Sequence, residues 1–477
     1  MKEELSLGKR LFILLGALIL VVLNETIGYS DLGIILVLIE VFIVVFLVFI
    51  KQFTLAVIMH MLFVLTALEW PADLLLRPNI FTYRTVHVSG ISISTLVLAF
   101  LFVMSHVFFD LRFQVKRIAF WGMLIIAIGL FTGILGMTLG DYKTHFFIED
   151  FAYWVAVVLS VSLFTKILSA RPDSMKLLEW VFIAVLISRS IVKFLGIFLG
   201  LQKGRYGGVA IFSFDAIDIL ILMLIFALQE QEHWIMKVLI IISWILGSLA
   251  VVIAESSGKG ILLSFAVLFI LVWKLFKLRK YMFIRMYLGL FIIIGLFVIL
   301  PRFLSYLIEN NIMFASKFNQ AMSLLSFSWM KDPYVLPPSP QTRILELYNI
   351  AAYYLENPVF FLTGRGFGGY FEDKAFYNYN ASNLGAYSTE EVISRKFVYP
   401  HESFNVLLLK FGLVGILYYL YLLYKVLKLR RFQTISISPF LKLSSFVLVL
   451  FFFGYSLKLA FLLGFSISLI FQGGDEN

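Results

Sequence analysis

The stretch LGIILVLIEVFIVVFLVFI, Leu32–Ile50, is a nearly unbroken apolar run long enough to cross a bilayer as one helix. Sliding that length outward finds comparable stretches near 10–24, 53–69, 90–109, 118–139, 151–169, 178–200, 214–229 and 236–254. Further ones lie near 261–276, 284–301, 403–426, 439–455 and 457–471, with 70–90 ambiguous. The expected fold is therefore all-α, a polytopic transmembrane helical bundle of about fourteen spans, within a range of twelve to fourteen. A charged N-terminal segment, Met1–Arg10, precedes the first run, and Asn24-Glu25-Thr26 follows it without a small-x-small cleavage site, so it reads as an uncleaved helix.

Composition carries the same message. Of 477 residues, 61% are hydrophobic and 14% charged, and mean hydropathy is +0.96. Soluble domains carry about 25% charged residues, so a soluble core cannot hide this much apolar surface and lipid must cover the remainder. The chain reads as a single membrane domain over 1–477 with one large loop, 302–401. Its net charge of +10 is explained by short basic loops rather than by nucleic acid, which is not expected as a partner. With no cysteine, disulfides, thiolate metal sites and cysteine nucleophiles are excluded.

The basic loops set an orientation. With both termini in the cytoplasm, inner connections hold Lys51, Arg112, Lys116, Arg117, Arg171, Lys176, Lys237, Lys277, Arg279, Lys280, Arg285, Lys425, Lys428, Arg430 and Arg431. The outer connections Asn24–Asp31, Asp141–Asp150, Gln202–Ser213 and Glu255–Gly260 are poorer in basic residues, as the positive-inside rule requires. The large loop then lies outside. Within it, Thr342–Glu356 has helical spacing, approached by Pro337, Pro338 and Pro340 and ended by Asn357-Pro358. Thr363-Gly364-Arg365-Gly366-Phe367-Gly368-Gly369 follows as a flexible glycine-rich turn.

Four basic residues sit in or beside glycine- or proline-rich outer segments: Arg205, Lys259, Arg343 and Arg365. Cations beside backbone N–H donors suit phosphate oxygens; the alternative is contact with lipid headgroups or water. Arg189 and Lys193, at i and i+4 in one span, face Asp215 and Asp218 at the start of the next, and read as a structural ion-pair set. His401, with Glu402 beside it, closes the large loop where the chain enters a span, and an imidazole there can take a proton from a hydroxyl. The six histidines show no metal-binding spacing, no phosphate-loop motif occurs, and no metal or other cofactor is expected.

In order and spacing, Ser256-Ser257-Gly258-Lys259-Gly260, Arg343 through Pro358 to Gly364-Arg365-Gly366-Phe367-Gly368, and His401-Glu402-Ser403-Phe404 with Gly412-Leu413-Val414-Gly415 form a set. Through this set, over roughly 200–425, the chain resembles the O-antigen ligase/polymerase superfamily of membrane glycosyltransferases. Lys259 stands where that family more often has Arg, and Glu402 where it usually has Asn. The resemblance implies a GT-C-like bundle in the bacterial inner membrane and metal-independent, inverting transfer of a glycan from undecaprenyl pyrophosphate. It assigns Arg343 and Lys259, with Arg205 in support, to the pyrophosphate. It assigns His401 to acceptor activation and makes Glu402 a second acid/base candidate. It implies a lipid-linked glycan donor, a glycan acceptor and a chain-length regulator as partners. A polymerase of repeat units is expected first, a ligase to lipid A core second. A flippase or exporter, or a non-catalytic scaffold, are the readings from other classes.

Overall fold

The computed structural model describes residues 5–68, 80–88, 91–109, 117–199, 216–251, 258–277, 302, 305, 309, 312–381, 387–432, 435–454 and 459–472. Among these, six helices are long and apolar enough to span a bilayer: Leu7–Ile27, Leu32–Phe49, Phe120–Thr138, Thr144–Ala170, Ser174–Phe198 and Ser403–Lys428. Six shorter apolar helices accompany them: Phe53–Thr66, Ile93–Phe108, Trp234–Leu249, Lys259–Leu271, Pro439–Phe452 and Ala460–Phe471. The chain is thus a mostly helical protein built for a membrane. The stretch expected near 214–229 is a 3-10 helix, Ala216–Glu230, and the one near 284–301 lies outside the described residues. Among the described residues the β structure is confined to two-residue antiparallel pairs such as Phe371–Glu372 with Lys396–Phe397.

Helices this apolar sort their faces by packing rather than by polarity. In Leu32–Phe49, Val37, Glu40 and Val44 are buried while Leu38, Ile39 and Phe42 are exposed, which is the surface lipid covers. The helix Ser174–Phe198, hereafter the central helix, is enclosed by Leu7–Ile27, Phe53–Thr66, Ala216–Glu230 and Trp234–Leu249. Two of its cations, Arg189 and Lys193, are fully buried. Arg189 grips Asp218 with two nitrogens, at 2.5 and 3.0 Å, and donates to the Leu65 carbonyl at 3.2 Å. Lys193 pairs with Glu25 of the first helix. The expected ion-pair set holds for Arg189 with Asp218, and Glu25 of the first helix joins it through Lys193. Asp215 lies outside the described residues. Charges in a low-dielectric interior persist only when paired, so each bridge pins one packed helix to the central one.

The connections gather at opposite ends of the bundle. At one end, Arg10 bonds Gln231, Trp180 donates to the Arg10 carbonyl, and Arg171 donates to Thr54. At the other, Lys143 and His145 pair with Glu390, and Tyr399 donates to Glu149. The helix Thr144–Ala170 joins these ends, which at 1.5 Å per residue are about 40 Å apart.

The described part of the large loop is folded. Its main helix, Pro338–Glu356, begins four residues before the expected start. Pro338 opens it because the first helical turn needs no N–H from that position. The glycine-rich turn is not a flexible segment; it is wedged against the helix Ser403–Lys428. That helix is broken at Gly412 (φ 59°, ψ −148°), which frees carbonyls one turn earlier. Tyr354 Oη donates to the Leu408 and Leu409 carbonyls at 2.6 and 3.1 Å. The Arg365 and Gly366 N–H groups donate to the Leu409 and Lys410 carbonyls at 2.8 and 2.9 Å. Gly364, at φ +71°, lies so close that a Cβ would sit 2.3 Å from the Lys410 carbonyl carbon. Irregular backbone inside a membrane protein survives where protein satisfies it, and here the turn does so.

Candidate functional site

The turn and the break leave the start of the broken helix, Glu402-Ser403-Phe404-Asn405, beside the loop helix Pro338–Glu356. Lys259, the second residue of the helix Gly258–Lys277, reaches the same place. Glu402 joins the three segments. Its Oε1 lies 2.7 Å from Arg343 Nε, and its Oε2 lies 3.2 Å from Lys259 Nζ. The Lys259 ammonium also sits over the Phe451 and Phe452 rings at 5.5 and 5.6 Å. All three charged side chains are partly accessible: 20% for Lys259, 35% for Arg343 and 28% for Glu402. A ligand can therefore reach them from outside.

Arg343 is held from its own helix, donating to Ser339 Oγ at 2.8 Å, while Asn405 donates to its carbonyl at 3.0 Å. Arg343 and Glu402 open onto a cavity of about 280 Å³ whose walls include Ile344, Leu347, Tyr419, Leu450 and Phe451. The walls are mostly apolar, and Arg343 and Glu402 are their charged members. Ser403 lines it too; its hydroxyl is buried and has no hydrogen-bond partner among the described residues.

His401 adjoins this cluster through a residue the sequence reading passed over. Glu346 lies three residues after Arg343, a spacing that places both on neighbouring parts of one helix face. Its fully buried carboxylate pairs with His401 Nδ1 and accepts the His401 backbone N–H at 3.0 Å. Tyr387 Oη and Asn405 Nδ2 donate to it at 2.5 and 3.1 Å. Burial by itself raises the pKa of this carboxyl. The His401 charge and the converging donors outweigh burial and hold it below the ordinary 4.5. Burial, then the Glu346 charge, push the Tyr387 phenol well above 10. Nδ1 is thus committed to Glu346, and Tyr387 packs edge-on against the ring at 4.7 Å. The carboxylate on His401 is therefore Glu346; Glu402, its sequence neighbour, turns to the cations.

Arg365 is placed differently. Its guanidinium is 7% exposed and stacks among Tyr370, Tyr353 and Tyr142 at 4.2, 4.5 and 5.3 Å. It donates to the Tyr370 carbonyl at 2.8 Å and to Tyr142 Oη at 3.1 Å. In this structure it braces the glycine-rich turn and does not join Lys259 and Arg343. Nearby, Lys410 Nζ is buried on Asp150 at 2.6 Å and the Gly369 carbonyl at 2.9 Å, a second brace on the same turn. Arg205, the fourth expected basic residue, lies outside the described residues. Among the described residues no group of three or more His, Asp or Glu is arranged to hold a metal ion.

The arrangement defines an α-helical membrane protein with a charged, partly open pocket at one end of its bundle. No known family model, curated protein or solved structure matches the chain.

Proposed function

We propose that the chain is an inverting glycosyltransferase of the bacterial inner membrane that polymerises undecaprenyl-pyrophosphate-linked oligosaccharide repeat units on the outer face. On this reading the bundle is GT-C-like with about fourteen spans, both termini are cytoplasmic, and the pocket faces the periplasm. The observation that supports it is the pairing of Lys259 and Arg343 beside an imidazole oriented by a buried carboxylate. In the reaction the acceptor hydroxyl oxygen bonds to the anomeric carbon of the donor, and the bond from that carbon to the phosphate oxygen breaks. The hydroxyl proton passes to His401 Nε2. The bonding electrons leave with the lipid pyrophosphate, whose growing charge Arg343 and Lys259 stabilise. Arg205 is kept as a further pyrophosphate contact on the resemblance alone. A chain-length regulator is the partner this reading calls for.

The test is turnover by purified, reconstituted protein given the lipid-linked donor on the outer face. A ladder of repeat lengths supports polymerisation. Glycosylation of a lipid A core without a ladder identifies a ligase. Translocation of the donor with no new glycosidic bond refutes an enzyme and makes the chain a transporter.

A further inference from the structure

Glu402 occupies a position where a carboxylate ordinarily works locally. It is the N-cap residue of the helix Ser403–Lys428, yet its side chain makes no capping hydrogen bond. Instead it spends both oxygens on Arg343 and Lys259. A two-oxygen anion lying across two cations matches one edge of a phosphate group. Glu402 also marks the start of the helix Ser403–Lys428, whose N-terminal end favours negative charge. Two cations and one carboxylate leave a net charge of about +1, augmented by that helix end. The buried Ser403 hydroxyl at the cavity wall, with no partner among the described residues, supplies a further donor awaiting an acceptor.

We propose that Glu402 is a built-in counter-anion, displaced from Arg343 and Lys259 when the phosphate oxygens of a lipid pyrophosphate enter. This rests on the anionic-donor reading above and adds to it a competitor carried by the chain itself. A carboxylate and a phosphate cannot both lie against the same two cations without placing like charges within a few ångströms. The entering group must therefore outbid Glu402. A pyrophosphate, with more charge and more oxygens, does so. A singly charged phosphodiester headgroup only exchanges one monoanion for another. The carboxylate thereby screens the site against the bulk anionic lipid that surrounds it in a membrane.

The test measures binding of farnesyl pyrophosphate to the full chain in phosphatidylcholine nanodiscs at fixed ionic strength. It compares wild type, Glu402→Gln, Glu402→Ala and the double variant Lys259→Gln/Arg343→Gln. A second arm replaces part of the phosphatidylcholine with phosphatidylglycerol, and a third uses inorganic pyrophosphate. The expected result is at least tenfold tighter binding by both Glu402 variants, at a thermal midpoint close to wild type, and loss of binding in the double variant. Phosphatidylglycerol should compete in the Glu402 variants and not in wild type, and inorganic pyrophosphate should follow the same order as the prenyl ligand. Equal or weaker binding by folded Glu402 variants, with binding still lost in the double variant, overturns the counter-anion proposal and leaves the anionic site standing. Binding by none of the folded proteins, or undiminished binding by the double variant, overturns the anionic-donor reading itself.

Discussion

Replacing Glu346 with Gln keeps the shape of the side chain and removes one of two acceptor oxygens. In the wild type each oxygen serves two donors: Tyr387 Oη and His401 Nδ1 on one, the His401 N–H and Asn405 Nδ2 on the other. A glutamine oriented either way keeps two of these contacts and points an NH₂ group at the other donors. Hydrogen bonds to a charged group contribute ~1.5–3 kcal/mol each, so losing two costs about 3–6 kcal/mol before relaxation. The thermal midpoint should fall. The chemical step should suffer separately, because the imidazole loses the carboxylate that holds its Nδ1 proton. General acid–base catalysis contributes on the order of 10²–10⁴-fold, and a drop of that size is expected in turnover. Affinity for the donor, which Arg343 and Lys259 govern, should change little. The assay is polymer formation by reconstituted protein under saturating donor, beside a binding titration and a thermal melt. Turnover within twofold of wild type in a folded Glu346→Gln protein would refute the orienting role. The pH dependence has a definite sign. Because the folded carboxyl titrates below its ordinary 4.5, its stabilisation is complete above pH 4.5 and is lost as pH falls through the lower folded value. Wild type should lose thermal stability below that pH more steeply than Glu346→Gln.

Other substitutions separate structure from chemistry. His401→Ala or Arg343→Ala should abolish polymer at normal protein abundance, seen by glycan electrophoresis beside an immunoblot. Lys259→Arg should keep activity and Lys259→Ala lose most of it in the same assay. Asp218→Ala removes the buried carboxylate that Arg189 grips with two nitrogens, at a cost of about 3–5 kcal/mol, and should show as a lowered midpoint and reduced abundance. Arg365→Lys cannot reproduce stacking among three tyrosines, so it should lower the midpoint while leaving farnesyl pyrophosphate affinity within about threefold. Gly412→Ala places a methyl 2.5 Å from the Phe361 carbonyl oxygen at a positive φ, and should destabilise by more than ~1–2 kcal/mol in a thermal melt.

The membrane class was legible in the order of residues alone because lipid imposes a length and a composition on any helix that crosses it. That is why runs such as Leu32–Ile50 could be bounded to within a few residues. The pairing of Arg189 with Asp218 was also readable, since two neighbouring antiparallel spans bring their charges to one depth. Tertiary structure decided the rest. Lys193 crosses to Glu25, Arg365 disappears into a tyrosine cage, and the glycine-rich turn wedges into a broken helix rather than lying open. Glu346, which sequence spacing alone did not single out, holds His401, while Glu402 next to it in sequence pairs with Lys259 and Arg343. Spacing along one helix determines which residues share a face. It carries no information about which distant segment a side chain meets, because that depends on how whole helices pack and on which charges the packed interior obliges to find partners.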